Sequence, residues 1–373
     1  MNVNRKTFSE PFSTSHVGRT APYDILAIDE VQRIIDAAME LLDTSGVVFE
    51  PGSQALEILT NNGCDASSDG IVRIAPELVR EALSSTAKTV KVWDRDGSGN
   101  IQIDKDHTCF FPGMTCIKVY DLESGEARDS NREDLETITR VADALPNIDG
   151  VTIACKNIDR SDIFGEIDEF AAMAENTTKP LEYLCEHSRS LDVVIEMAAA
   201  IRGGREALRE KPYFIQIVTP LPLNFATTHS DQIIAAVRAG VPVASGTLPI
   251  GGATSPITVA GCMVQSLATD FAAMVLGQLV EKGSFCIGCS DVSFMEPSTG
   301  GIGSFAGSFH VLCSRKLDIY KQVTLAGEFE CKLTLCIAQH DTYSASDADF
   351  IESGFGLRHT DNRLRQYRTG DYY

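Results

Sequence analysis

Basic residues are in short supply: 32 lysines and arginines face 52 aspartates and glutamates, a formal charge of −20 over 373 residues. Such a surface repels nucleic acid and anionic membranes, so neither is an expected partner. The opening MNVNRKTFSEPFSTSHVGRT has no apolar core. No signal peptide is read there, and cytoplasmic residence with reduced thiols is expected. No GxGxxG follows the first strand-like run, which removes the usual dinucleotide fingerprint. Tryptophan occurs once, at Trp93, outside the main strand–helix rhythm, and reads as structural. Eleven cysteines are present, yet they lack compact metal-ligand spacing. Scattered singly through apolar runs such as GVTIAC and LEYLC, they read as small buried hydrophobes.

What is present suits a folded chain. Apolar residues make up 43% and charged residues 23%, and the length allows a sizeable core. The longest apolar run, Ile257–Val280, has a membrane-spanning length, but Gln265, Asp270 and Gln278 interrupt it. A helix buried among other elements is the expectation. Near the amino end, IDEVQRIIDAAMELLDTSG has helical apolar spacing and stops at Gly46, with Asp29 as the expected cap. SQALEILTNNG and APELVREALSSTA predict two more helices, and GIVRIAP and TVKVWDRDG predict short strands.

After about residue 106 the rhythm changes. CFFPGMTCIKVYD predicts strands with ESGE as a turn, and VTIAC, LEYLC, YFIQIV, PVASG and SFCIGC are short apolar runs, each followed by a helical pattern. The last of these helices is expected near Ser308–Tyr320. Strands alternating with helices imply parallel β-α units. Most runs end in polar or special residues: Thr115, Lys156 and Asn157, Glu186 and His187, Thr219 and Pro220, Thr247 and Pro249, Ser290 and Asp291. In a (β/α)8 barrel of the TIM type these ends converge on one face, where substrates bind. The barrel is therefore preferred to a doubly wound open sheet. The expected division is a mainly helical section over 1–106, barrel units one to six over 107–312, and an atypical segment over 313–373 that leaves closure of the barrel open.

The stretch ASGTLPIGGATSPITVAG (244–261) starts as a strand and ends in the long helix. Thr254 or Ser255 is the expected cap, with Pro256 in the first turn. Gly251 and Gly252 would let backbone approach a ligand, and helix-start amides suit a carboxylate or phosphate. A tight loop using glycine for its φ angles is the equal alternative.

Several segments together resemble the trimethylamine methyltransferase family, the corrinoid-dependent methyltransferases that include glycine betaine methyltransferases. The resemblance lies in ELLDTSGVVFEP, NNGCDASSDGIVRIAPELVREAL, FFPGMTCIKVYDLESGEAR, VADALPNIDG, KPLEYL, IVTPLPL and GTLPIGGATSPITVAG, in order over roughly residues 25–310. It implies a barrel behind a helical amino-terminal section. It also implies methyl transfer from a quaternary or tertiary methylamine to cob(I)alamin, carried by a separate corrinoid protein, with no tightly bound cofactor of the chain's own. The chain departs from the pattern after about Phe309. The nearest counterpart of the pyrrolysine segment, YKQVTLAGEFECK, contains no such residue, so the chain resembles the non-pyrrolysine type with an atypical or truncated carboxyl end.

Orienting a methylated cation and excluding water are what this chemistry asks of the protein. Glu186, His187 and Asp291 are the candidates for catalysis. Phe111, Tyr183, Thr219, Thr247, Gly251, Gly252 and Ser255 are the candidates for substrate binding, aromatic faces being favourable to cations. Cys155, Cys185 and His187 suggest a zinc-thiolate site only weakly, and no metal is expected. Cys286 and Cys289 lie three apart and point to opposite strand faces. A quaternary-amine binder without catalysis is the alternative from another class. The long helix is a candidate surface for a homo-oligomer.

Overall fold

The computed structural model describes residues 26–104, 107, 109–160, 162–298, 300–303 and 335–337. Helix α1 (Ile28–Thr44) buries Val31, Ile34, Ile35, Ala38, Met39 and Leu42, the stripe its 3.6-residue spacing predicts. Each fully buried Val, Ile, Leu or Met side chain contributes about 1.5–3 kcal/mol. The cap differs from expectation. Ala27 occupies that position, and Glu30 reaches back to accept its backbone N–H at 2.9 Å. Asp29 is left in the first turn, where a negative charge still favours the helix dipole. Helices α2 (Gln54–Asn61) and α3 (Pro76–Ser85) follow, as the apolar spacing predicts.

The five runs from VTIAC to SFCIGC supply β2 (Val151–Thr152), β3 (Leu181–Leu184), β4 (Phe214–Val218), β5 (Val243–Ser245) and β6 (Cys286–Gly288). They form one parallel sheet in chain order. Beside β2 lies β1 (Cys109–Phe111). The Phe110 carbonyl accepts the Asp149 N–H at 2.8 Å, and a parallel bridge joins Cys116 to Cys155. A further strand, β7 (Leu335–Ile337), pairs parallel with β1. That is the place a closing strand takes in a barrel. The expected helix near Ser308–Tyr320, and all of 313–373 except β7, lie outside the described residues.

Helices alternate with these strands. α4 (Arg132–Ala144) follows β1, α5 (Ile163–Asn176) follows β2, and α6 (Ser188–Arg202) with α7 (Arg205–Glu210) follows β3. α8 (Thr227–Ala239) follows β4 and α9 (Val259–Val280) follows β5. The hairpin expected at ESGE forms between Lys118–Tyr120 and Ala127–Asp129.

Helix α9 is long and apolar enough to span a membrane by composition, but it is a core helix, packed on α1, α3, α8 and β6. Its polar interruptions anchor neighbours. Asp270 accepts from the Ser290 hydroxyl, Gln278 bonds Ser85 and Ser284, and Gln265 donates to the Thr254 carbonyl. A hairpin of Val90–Trp93 and Asn100–Ile103 lies across the amino ends of the strands. Trp93 N–H donates to the Pro212 carbonyl just before β4, and Arg95 N–H donates to Thr178 just before β3. Lys211 Nζ sits 4.4 Å from the Trp93 ring centroid. With the amino ends covered, the carboxyl ends are the face left for chemistry.

Candidate active site at the carboxyl ends of the strands

The strands are buried on both faces, so their side chains are sorted by what they touch. The Tyr183 hydroxyl donates to the Glu166 carbonyl on α5 at 2.9 Å, and its ring meets Phe170 edge-on at 5.2 Å. Phe214 also meets Phe170, at 5.5 Å. This face looks toward the helices. Tyr183 is therefore not placed to contact a substrate, contrary to expectation. Side chains alternate along a strand, so Glu182 and Leu184 point the other way, into the barrel. Register places Thr152, Ile215, Ile217, Ala244 and Ile287 on that inner face with them.

Glu182 is fully buried, and neither carboxylate oxygen has a hydrogen-bond partner among the described residues. Burial alone pushes its carboxyl up to about 8. A charge so placed is unfavourable unless paired. Sequence reasoning passed over this residue. The available signal was an acid in the middle of LEYL, where a buried strand has no ordinary use for one.

At the mouth, Glu186 and His187 follow β3 with exposed side chains. They are held by Glu166, a buried carboxylate of α5 that sequence reasoning also missed. One of its oxygens accepts the Glu186 N–H at 2.9 Å and pairs with His187 Nδ1 at 3.0 Å. The other accepts from the Ser190 hydroxyl. His187 is the cap position of α6, though its ring is turned to Glu166 and not to the helix amides. His229, on the first turn of α8, stands near Glu186. Burial lowers the pKa of its ring, and Glu186 opposes that shift.

Across the mouth, Asp291 N–H donates to the Thr247 carbonyl at 2.8 Å, which brings two candidates together. Thr247 itself is buried, and Thr219 is exposed at the end of β4. Phe111 is buried with its ring edge where a Cβ on Gly150 would lie, so it belongs to the packing below the mouth. Thr115 at the end of the β1 segment has φ +60°, a strained conformation for a β-branched residue.

The glycine loop after β5 is a closed turn in which the amides of Ala253, Thr254 and Ser255 converge on the Ile250 carbonyl. The cap of α9 is Thr258, whose hydroxyl accepts from the Gly261 N–H at 3.2 Å. Thr254 instead bonds Ile250 N–H, and Ser255 lies in the turn. Gly252 has φ +85°, while a Cβ on Gly251 would come 2.5 Å from the Phe294 ring. The approach Gly251 permits in this structure is that of Phe294. Gly246 is more constrained, because a Cβ there would lie 2.4 Å from the Cys289 backbone carbon. A ring can swing aside where a backbone cannot. Gly246→Ala is therefore expected to lose about 3 kcal/mol and Gly251→Ala about 1 kcal/mol. Thermal unfolding of the two variants reads the order, and equal losses would refute it.

The cysteines next to these ends are buried. Burial pushes the Cys155 thiol up to about 12 and the Cys185 thiol higher still. Cys185 lies on the helix side beside Gln216, away from the ring of His187, which faces Glu166. Cys286 is buried against Ala273 of α9. No group of three or more His, Cys, Asp or Glu is placed to hold a metal ion among the described residues.

A sequence model of the family described as trimethylamine methyltransferase (MTTB) matches residues 3–308, which include all six strands β1–β6 and the loops just described. The chain belongs to the trimethylamine methyltransferase family. Within it, the trimethylamine methyltransferase MttB of Desulfitobacterium hafniense is 30% identical over 280 residues, 74% of this chain and 56% of that protein. A glycine betaine methyltransferase of Desulfitobacterium hafniense is 26% identical over 307 residues, 81% of this chain and 63% of that protein. The chain spans less than two thirds of the length of these relatives. The crystal structure of a hydroxylamine complex of MtmB aligns at a TM-score of 0.49 and 11% identity, covering 81% of this chain and 60% of that one.

Proposed function

We propose that this chain transfers a methyl group from a methylated amine, quaternary or tertiary, such as glycine betaine or trimethylamine, to the cob(I)alamin of a separate corrinoid protein. The family match across residues 3–308 carries the reading. The geometry agrees with it. Parallel strands send Glu186, His187, Thr219, Thr247 and Asp291 to one end, while a hairpin covers the other. The acceptor, a second substrate, supplies a strongly nucleophilic cobalt(I). The carbon–nitrogen bond then breaks with its electron pair left on nitrogen, so a quaternary ammonium leaves as a neutral tertiary amine and needs no proton. The chain's own work is orientation and exclusion of water. Glu186 and Asp291 supply negative charge at the rim, and Glu166 holds His187 beside Glu186.

The test is anaerobic. The folded chain is mixed with cob(I)alamin and a panel of trimethylated amines, and methylcobalamin is followed by absorbance. Methylation with one amine establishes the reaction and names the donor. A folded chain that binds an amine yet methylates nothing overturns the proposal in favour of a binding protein.

A further inference from the structure

We infer that Glu182, buried on the inner face with neither oxygen partnered among the described residues, is the counter-ion for a quaternary ammonium group bound inside the barrel. The inference deepens the methylated-amine reading and rests on it. A carboxylate with both oxygens unpartnered is rare in a protein interior, because a buried polar group without a hydrogen bond is unfavourable by a few kcal/mol. Here the residue stands at the second position of β3, with its flanking strands contributing Thr152 and Ile215 at the same level. One layer nearer the mouth are Leu184 and Ile217, with Ala244 and Ile287 alongside. None of these neighbours titrates. The acids on the adjoining helix, Glu166 and Glu169, lie on the other side of the strand with Tyr183 and Cys185.

The wall also selects the kind of cation. An ammonium bearing N–H groups needs an acceptor for each. Among the described residues, the two layers around Glu182 offer aliphatic side chains and one hydroxyl, and the Thr152 hydroxyl is already turned to the Gly113 carbonyl at 3.1 Å. A nitrogen clothed in methyl groups needs none. Its charge pairs with one carboxylate and its methyls pack on Leu, Ile and Ala. Burial pushes the Glu182 carboxyl up to about 8 and so favours its protonated form at neutral pH, and binding a cation that favours the ionised form is expected to release a proton.

The experiment is isothermal titration of the full chain with choline and with 3,3-dimethylbutan-1-ol, its neutral isostere, in buffers of different ionisation enthalpy. Choline is expected to bind in preference to the alcohol and to release close to one proton per cation at pH 7. Its affinity should rise about tenfold from pH 7 toward pH 9, as Glu182 ionises without help. In Glu182→Gln, with folding verified by circular dichroism, proton release should vanish and choline affinity should fall at least tenfold. Glu182→Asp should restore part of both. Unchanged choline affinity and proton release in Glu182→Gln would overturn the inference, as would a folded wild type that binds no choline at pH 9. The cobalamin assay separates this from the parent reading. Methyl transfer that survives in Glu182→Gln sinks the inference alone. Proton-releasing choline binding without any methyl transfer sinks the proposed reaction alone.

Discussion

Glu182→Gln should be more stable than the wild type at pH 9 and equal to it near pH 4. The folded chain holds the Glu182 proton up to about 8, against an ordinary value of 4.5. The raised folded value means that the stabilising contribution is complete below about pH 4.5 and is lost as pH climbs through about 8. Each pH unit in that window is about 1.4 kcal/mol, so the loss is on the order of 4–5 kcal/mol. Glutamine has the same shape and no proton to lose, so its curve lacks this decline. Urea unfolding of both chains from pH 4 to pH 9 measures it. Parallel curves would mean that Glu182 has a partner when ionised.

Glu166→Ala should destabilise the chain by about 2–3 kcal/mol, the range for stranding buried hydrogen-bond donors, since the half-exposed His187 ring adds little. The carboxylate gathers three donors at one point: the amide of Glu186, the ring of His187 and the hydroxyl of Ser190. Removing it strands the buried Ser190 hydroxyl and leaves the Glu186 amide without this acceptor at the start of α6. Glu166→Gln keeps one acceptor oxygen and should lose roughly half as much. A readout that stability does not move is the tautomer of His187 by nitrogen NMR. In the wild type the contact with Glu166 is expected to favour the tautomer with the proton on Nδ1. In the alanine variant the ring should revert to a mixture. A loss under 1 kcal/mol, or an unchanged tautomer, would show that the mouth is held by other contacts.

The strands were readable in the sequence because short apolar runs stand between turn residues, as in KPLEYLCEHS and KPYFIQIVTP. Which way their side chains point was not. A parallel strand covered on both faces has apolar residues on each, so the two-residue alternation that marks an inner face is erased. Tyr183 and Glu182 are adjacent, and the sequence offered the aromatic as the cation contact while the structure turns the carboxylate inward. Glu166 was hidden for a related reason. It lies within a helix of ordinary composition, and only the packing of α5 against the β3 loop shows that its acid faces inward. The cap of α9 was misplaced because TSPIT offers three hydroxyl residues around one proline, and only Thr258 is followed at the right distance by a free helix amide. The glycines of the same stretch fit a turn and a ligand site equally well by sequence. Phe294 accounts for Gly251, and a positive φ accounts for Gly252.

The docking of α1 and α3 on α9 has a consequence for the order in which the chain is made. Roughly 215 residues lie between the end of α1 and the start of α9. At ribosomal speeds of about 5–20 residues per second, the apolar stripe of α1 waits on the order of 10–40 seconds for its cover. Val31, Ile34, Ile35, Met39 and Leu42 meet α3 and the Ile71–Arg73 strand early, but the part of the stripe that α9 covers waits until the barrel is nearly drawn. For that interval the face of α1 that α9 covers is an exposed apolar surface, open to association with other chains.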